Sequence, residues 1–189
     1  TNTGATPGSL IVGLQYCTSN CSNAGSEVWA TASAVALSGD FGSSVSVNQA
    51  SPSQYTSHSL VWSPKIDYNN QYNDTNFKIR LVVNDSEGAN NLSYDQSNVF
   101  TLDTTDPVVV SFVVDSRESA GAVLNINVTD DTSTDLQMKL SNYSNLAPDS
   151  MNVGSGTWIN YSATKNWNLA GDPEVIYYQF KDKYGNVSN

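Results

Sequence analysis

The chain has 189 residues, with 18 Asp and Glu against eight Lys and Arg, a formal net charge of −10, and only 14% charged residues. That balance excludes a nucleic-acid binder, which needs a basic face, and no apolar run approaches the roughly 18 residues of a membrane-spanning helix. One His and two Cys leave little material for a zinc centre or a Ser-His-Asp machine, whereas 27 Ser, 15 Thr and 22 Asn suit a polar, uncharged surface on the outside of a cell. Thr1 opens the sequence without the charged and apolar regions of a secretory leader, so a leader is expected to be removed or to lie outside these residues.

Taken in order, residues 1–8 read as an uncommitted polar tail. Leu10, Val12, Leu14 and Tyr16 then alternate with Ile11, Gly13 and Gln15, the period-two signature of a strand. Glu27 to Leu37 is the best helical candidate, but its interleaved Val, Ser and Thr favour a strand. Phe77, Ile79, Leu81 and Val83 give the next alternating run, and Ser97 to Asp103 another. After Pro107 come Val108, Val110, Phe112 and Val114, then Leu124, Ile126 and Val128. Gly, Asn, Asp and Pro clusters separate these runs. Many short strands with frequent turns predict an all-β chain built as β-sandwiches. The polar joint Thr104-Thr105-Asp106-Pro107 divides it. We expect a tail (1–8), one immunoglobulin-like sandwich (9–103), a linker (104–107) and a second sandwich (108–189). Both halves carry the same charge, which suggests two copies of one kind of module.

A weak internal repeat points the same way. Phe77-Lys-Ile-Arg-Leu-Val-Val-Asn-Asp85 and Val175-Ile-Tyr-Tyr-Gln-Phe-Lys-Asp182 are each an alternating strand running into Asp-x-x-Gly, a turn in which Asp caps backbone N–H groups. After Asp85 the first module continues through another strand, whereas only seven residues follow Asp182. The second module is therefore expected to lack its last strand. With Val128-Thr-Asp-Asp131, Leu136 to Asn142, Trp158-Ile-Asn-Tyr161 and Lys165-Asn-Trp-Asn-Leu169, the chain resembles bacterial and archaeal surface repeats with immunoglobulin-like or fibronectin-III-like sandwiches. The resemblance covers most of residues 60–189 and implies a module of adhesins, S-layer-like proteins or fibre-forming proteins.

Few residues offer chemistry. The carboxylates sit mostly in turns, and His58 lies in Ser57-His58-Ser59 without a nucleophile motif, so no catalytic residue is assigned and a non-enzymatic role is expected. No cofactor is required. Calcium is the one metal the sequence suggests, because hard cations take carboxylate and carbonyl oxygens: Asp103 and Asp106 at the joint, with Asp85, Asp130, Asp131 or Asp182 from nearby loops, are its candidate ligands. The alternative reading of these residues is capped turns. Cys17 and Cys21 are expected to pair as a disulfide. Sequons begin at Asn20, Asn73, Asn84, Asn91, Asn127, Asn142, Asn160 and Asn186, and are candidate glycosylation sites. The four Trp read as core, while Tyr68 and Tyr72, in an Asn-rich loop, read as exposed contacts.

A sandwich with an open edge invites a strand from a neighbour. The expected function is thus a structural subunit of an extracellular, pilus-like surface filament, a homopolymer assembled head to tail by β-strand donation. The donor would be the tail or the adjacent Ser9–Tyr16 segment. The residues assigned to assembly are Thr1, Thr3, Ala5 and Pro7 in the tail, with Asn186, Val187, Ser188 and Asn189 at the other end. The alternative is an adhesion or carbohydrate-binding repeat segment of a larger surface protein or secreted hydrolase, whose partner would be a glycan or a neighbouring cell.

Overall fold

The computed structural model describes residues 9–46, 57–86, 91–118, 121–131, 134–169 and 175–188, so the assembly candidates Thr1, Thr3, Ala5, Pro7 and Asn189 lie outside the described residues. Within them the chain is nearly all β. Its helical structure there is a four-residue helix α1 (Pro64–Asp67) and one 3-10 turn (Ala34–Ala36). Contacts divide the chain into two compact units, Thr1–Thr104 and Thr105–Asn189.

The first unit contains β1 (Ser9–Ser19), β2 (Val28–Thr31), β3 (Leu37–Gly39), β4 (Gly42–Ser46), β5 (Leu60–Trp62), β6 (Tyr72–Phe77), β7 (Ile79–Asn84), β8 (Leu92–Gln96) and β9 (Phe100–Asp103). One sheet runs β2-β1-β7-β8 with β4 also on β1, and β3–β5 and β6–β9 form two-stranded pairs. β1 is an interior strand. It pairs with β7 from Ile11 to Tyr16 and, on its other side, with β2 and β4. This corrects the expectation that Ser9–Tyr16 can be donated, since withdrawing it would strip the sheet of its central strand.

Two further expectations are corrected here. Glu27 to Leu37 is not one strand: β2 ends at Thr31, the 3-10 turn follows, and β3 starts at Leu37. The run from Phe77 to Asp85 is also broken. β6 pairs with β9 up to Phe77, and β7 pairs with β8 and β1 from Ile79. Tyr72↔Asp103, Phe77↔Phe100, Arg80↔Gln96 and Asn84↔Leu92 nevertheless follow one antiparallel ribbon. At its break the Ile79 N–H donates to Ser97 Oγ at 3.1 Å.

Phe77, fully buried, holds the core of this unit together. Tyr68 packs on it at 5.1 Å between ring centroids, Phe100 at 5.5 Å, Trp62 at 6.0 Å and Tyr16 at 6.5 Å. Tyr68 is thus half-buried in this cluster and not the exposed contact expected, while Tyr72 is exposed. Asp67 fixes the cluster's rim. Its carboxylate accepts the Trp62 indole N–H at 2.9 Å and the Ser33 backbone N–H at 3.1 Å. Burial alone would raise the pKa of Asp67, but the hydrogen bonds from Ser33 and Trp62 outweigh it and hold the group below its ordinary value of 3.8. A carboxyl depressed in the folded state stabilises above its unfolded pKa and loses that contribution as pH falls through the lower folded value. Acid titration of thermal stability is therefore expected to show a fall below about pH 4 that shrinks in Asp67→Asn.

On the five-stranded sheet, the Arg80 guanidinium lies 4.4 Å from the Trp29 ring centroid and 4.5 Å from that of Tyr94, and its Nε donates to Gln15 Oε1 at 2.8 Å. One side chain thereby ties β2, β1, β7 and β8 together. Arg80→Ala is expected to cost about 1–2 kcal/mol, from two cation–π contacts and one hydrogen bond. Arg80→Lys should recover part of it, because an ammonium keeps the charge but not the planar stack. Urea unfolding of the three proteins measures this.

The second unit contains β10 (Val108–Glu118), β11 (Gly121–Thr129), β12 (Gln137–Ser141), β13 (Ile159–Asn160), β14 (Thr164–Asn168) and β15 (Tyr177–Lys181). They form two three-stranded sheets, β10-β11-β14 and β13-β12-β15. Period-two alternation sends Ala122, Leu124, Ile126 and Val128 of β11 inward, where they meet Met138 and Leu140 of β12, Trp167 of β14 and Phe180 of β15. The arrangement is sandwich-like. The connection from β12 to β13 is pinned by amides and hydroxyls. Asp149 accepts the backbone N–H groups of Met151 and Asn152 and the Ser155 hydroxyl, and Asn152 exchanges hydrogen bonds with the Asn168 backbone. Of the four Trp, Trp167 is buried, and Trp29, Trp62 and Trp158 are half-buried.

Candidate functional site

The outer edge of β15 is one of the places where the described residues of the second unit leave backbone groups for a further strand. β12 covers one side of β15, from Tyr177 to Lys181. On the other side the chain turns back at Asp182. This residue is buried; its Oδ1 accepts the Tyr184 and Asn186 backbone N–H groups at 2.9 and 2.8 Å, and its Oδ2 accepts the Asn186 side-chain amide at 2.6 Å. Gly185 completes the turn at φ +94°, a conformation that suits a residue without Cβ. Val187 then bridges to Lys181, and Ser188 meets Phe180: its N–H donates to the Phe180 carbonyl at 2.8 Å, and its Oγ accepts the Phe180 N–H at 2.9 Å.

Beyond Phe180 no strand among the described residues covers this edge. In an antiparallel strand, backbone groups of alternate residues face the same side. Since Phe180 N–H and C=O face outward, those of Tyr178 do too, and no strand among the described residues pairs with them there. The side chain of Tyr178 stands off the core face of β15, in an apolar seam. It stacks on Phe112 of β10 at 4.5 Å and lies 5.7 Å from Phe180. β10 is an outer strand of its own sheet, paired among the described residues with β11 alone. A free main-chain edge therefore runs beside half-buried aromatic rings that a further strand would cover. Two residues assigned to assembly, Val187 and Ser188, begin this pairing, and Asn186 is locked in the turn that delivers them.

The candidate calcium ligands are distributed as follows. Within the second unit, oxygens of Asp130 and Asp182 lie within 4.8 Å of each other, and the Asp182 carboxylate already receives three protein donors, as in a capped turn. Asp131 is exposed and Asp106 half-buried. In the first unit Asp103 is buried at the end of β9, and at Asp85 the neighbouring Asn84 side chain, not that of Asp85, accepts the Ser86 N–H.

Cys17 and Cys21 are joined in a disulfide with Cα atoms 5.8 Å apart. His58 sits beside Asp40 at the end of the β3–β5 pair, with 3.2 Å between ring Nδ1 and carboxylate. Among the sequon asparagines, Asn20, Asn127 and Asn160 are exposed, Asn73, Asn84, Asn91 and Asn142 half-buried, and Asn186 buried. The seam at Phe112 and Tyr178 was not singled out from sequence. Its signal was two aromatic residues on the inward phase of separate strands, which the alternation alone does not bring together. Compared with family models, curated proteins and solved structures, the chain matches none of them.

Proposed function

We propose that the chain is a structural, non-catalytic protein of the cell exterior, two immunoglobulin-like sandwiches in tandem, joined head to tail into a filament by a strand that a neighbour lays along β15. The open Tyr178 edge beside the Phe112 ring carries this reading. Backbone N–H and C=O groups at a sheet edge accept an extended partner through main-chain hydrogen bonds, and side-chain pockets set its register. A head-to-tail contact does not close on itself, so it yields filaments. The acidic, hydroxyl- and amide-rich composition, with only 14% charged residues, supports the exterior location.

Negative-stain electron microscopy of the purified chain is expected to show filaments. Tyr178→Pro removes the outward amide together with the ring on Phe112 and should abolish them, whereas Tyr178→Ala, which removes the ring alone, should leave filaments, with circular dichroism confirming that both variants stay folded and all-β. Filaments that persist in Tyr178→Pro would overturn strand addition at this edge. Deleting residues 1–8 then assigns the donor: loss of filaments places it in that tail.

A second reading, a repeat segment of a larger surface protein, is favoured by the bridge between Lys181 and Val187, because it already starts an antiparallel strand on the same edge from the same chain. An immunoblot of cell-surface extract separates the two. Filament subunits should run after boiling as a short polypeptide, and a repeat segment should appear only in a much longer one.

A further inference from the structure

We infer that the folded chain accepts N-linked saccharide at Asn20, Asn127 and Asn160, and that the sequons at Asn142 and Asn186 are structural. The inference goes beyond strand addition and shares with it only the exterior location. In the transfer, the asparagine Nδ2 attacks the anomeric carbon of a lipid-linked oligosaccharyl diphosphate. The N–C bond forms, the C–O bond to the diphosphate breaks with its electron pair leaving on the diphosphate, and one amide proton passes to a base of the transferase. The acceptor amide must therefore be free of protein hydrogen bonds and open to a large enzyme.

Five of the eight sequons separate on that requirement. Asn20, Asn127 and Asn160 are exposed, and their side-chain amides make no hydrogen bond among the described residues. Asn20 follows the end of β1, Asn127 lies on β11 and Asn160 on the two-residue β13. Asn142 and Asn186 differ in kind. Asn142 Nδ2 donates to the Asn168 carbonyl at 3.0 Å, and its Oδ1 accepts the Trp167 indole N–H at 2.8 Å. Asn186 is buried and its Nδ2 donates to Asp182 Oδ2. A saccharide on either would compete with a hydrogen bond its amide already makes, which for Asn186 is buried.

Asn160 has a further consequence. β13 pairs only with β12 among the described residues, so it is the opposite edge of the sheet that ends in β15. A hydrophilic saccharide there covers one edge and leaves β15 as the edge open to strands.

The test uses the folded chain, a membrane oligosaccharyltransferase and a synthetic polyprenyl-diphosphate trisaccharide, with proteolytic peptides of the same chain as the unfolded reference. Glycopeptide mass spectrometry is expected to find the trisaccharide at Asn20, Asn127 and Asn160 of the folded chain and not at Asn142 or Asn186, whereas peptides spanning Asn142 and Asn186 are modified. Thr129→Ala should remove the increment at Asn127 alone, with the circular dichroism spectrum unchanged. Absence of the trisaccharide from all three exposed sites of the folded chain would overturn the inference. So would modification of folded Asn142 or Asn186 to the extent seen in peptides.

Discussion

Trp167→Ala is expected to destabilise the second unit by about 4 kcal/mol, in the range measured for large-to-small changes at buried aromatic residues. Trp167 is 2% exposed and packs in one core cluster with Leu124, Met138 and Phe180. Alanine opens a cavity among these residues and also orphans Asn142, which accepts the indole N–H at 2.8 Å. Asn142 in turn anchors the long connection to β14 through the Asn168 carbonyl. Trp167→Phe separates the two effects. It keeps most of the apolar volume but removes the donor, so its cost should be about 1–3 kcal/mol, the price of an unsatisfied buried acceptor. Hydrogen exchange read by mass spectrometry locates the loss. Amides of β11 and β12 should exchange faster while those of β1 and β7 keep their protection. Equal losses in both variants would show that the indole hydrogen bond, not the ring volume, dominates.

Phe77→Ala is expected to have an effect of similar size in the first unit, about 3–5 kcal/mol. Four aromatic rings surround Phe77 within 6.5 Å, centroid to centroid. They come from β1, the residues around α1, and β9, so no single strand can move in to fill the hole. Phe77→Leu keeps an apolar side chain of comparable volume and should cost about 1 kcal/mol. Urea unfolding of the two variants, with exchange at β1 and β7 as the local probe, distinguishes loss of volume from loss of ring geometry.

Alternation was enough to read β11 in the sequence, because the strand has one face buried and its side chains report it directly. Alternation failed at Lys78 for a definite reason. Phe77 and Ile79 continue one inward phase while the hydrogen-bonding partner changes from β9 to β1 and β8. A side-chain pattern reports which face a residue takes, not which strand lies beside it. The Glu27–Leu37 region misled differently: Ala34-Val35-Ala36 mimics a strand in composition but coils into a 3-10 turn. Tyr68 looked exposed because its neighbours are polar, yet Thr104 folds that loop back, its hydroxyl donating to the Tyr68 carbonyl at 2.6 Å. The sequon motif reads Asn142 and Asn186 like any other asparagine, since nothing in N-x-S records that the amide is already engaged. Asp67, which ties Ser33 to Trp62, was invisible for the same reason: its partners are distant in sequence or lie on the backbone.

The placing of cations over rings has a consequence for how copies meet. Arg80, Lys139, Lys181 and Lys183 each lie within about 6 Å of an aromatic centroid, half of the eight basic residues in the chain. These cations are engaged within each copy, and the excess of ten carboxylates over basic groups sets the field at a distance. Two copies, each at −10, repel over the length of the ionic atmosphere, about 30 Å at 0.01 M and about 8 Å at 0.15 M. Encounter between them is gated by salt. Light scattering should show self-association quickening as ionic strength rises, the opposite of what an interface built on paired charges would do.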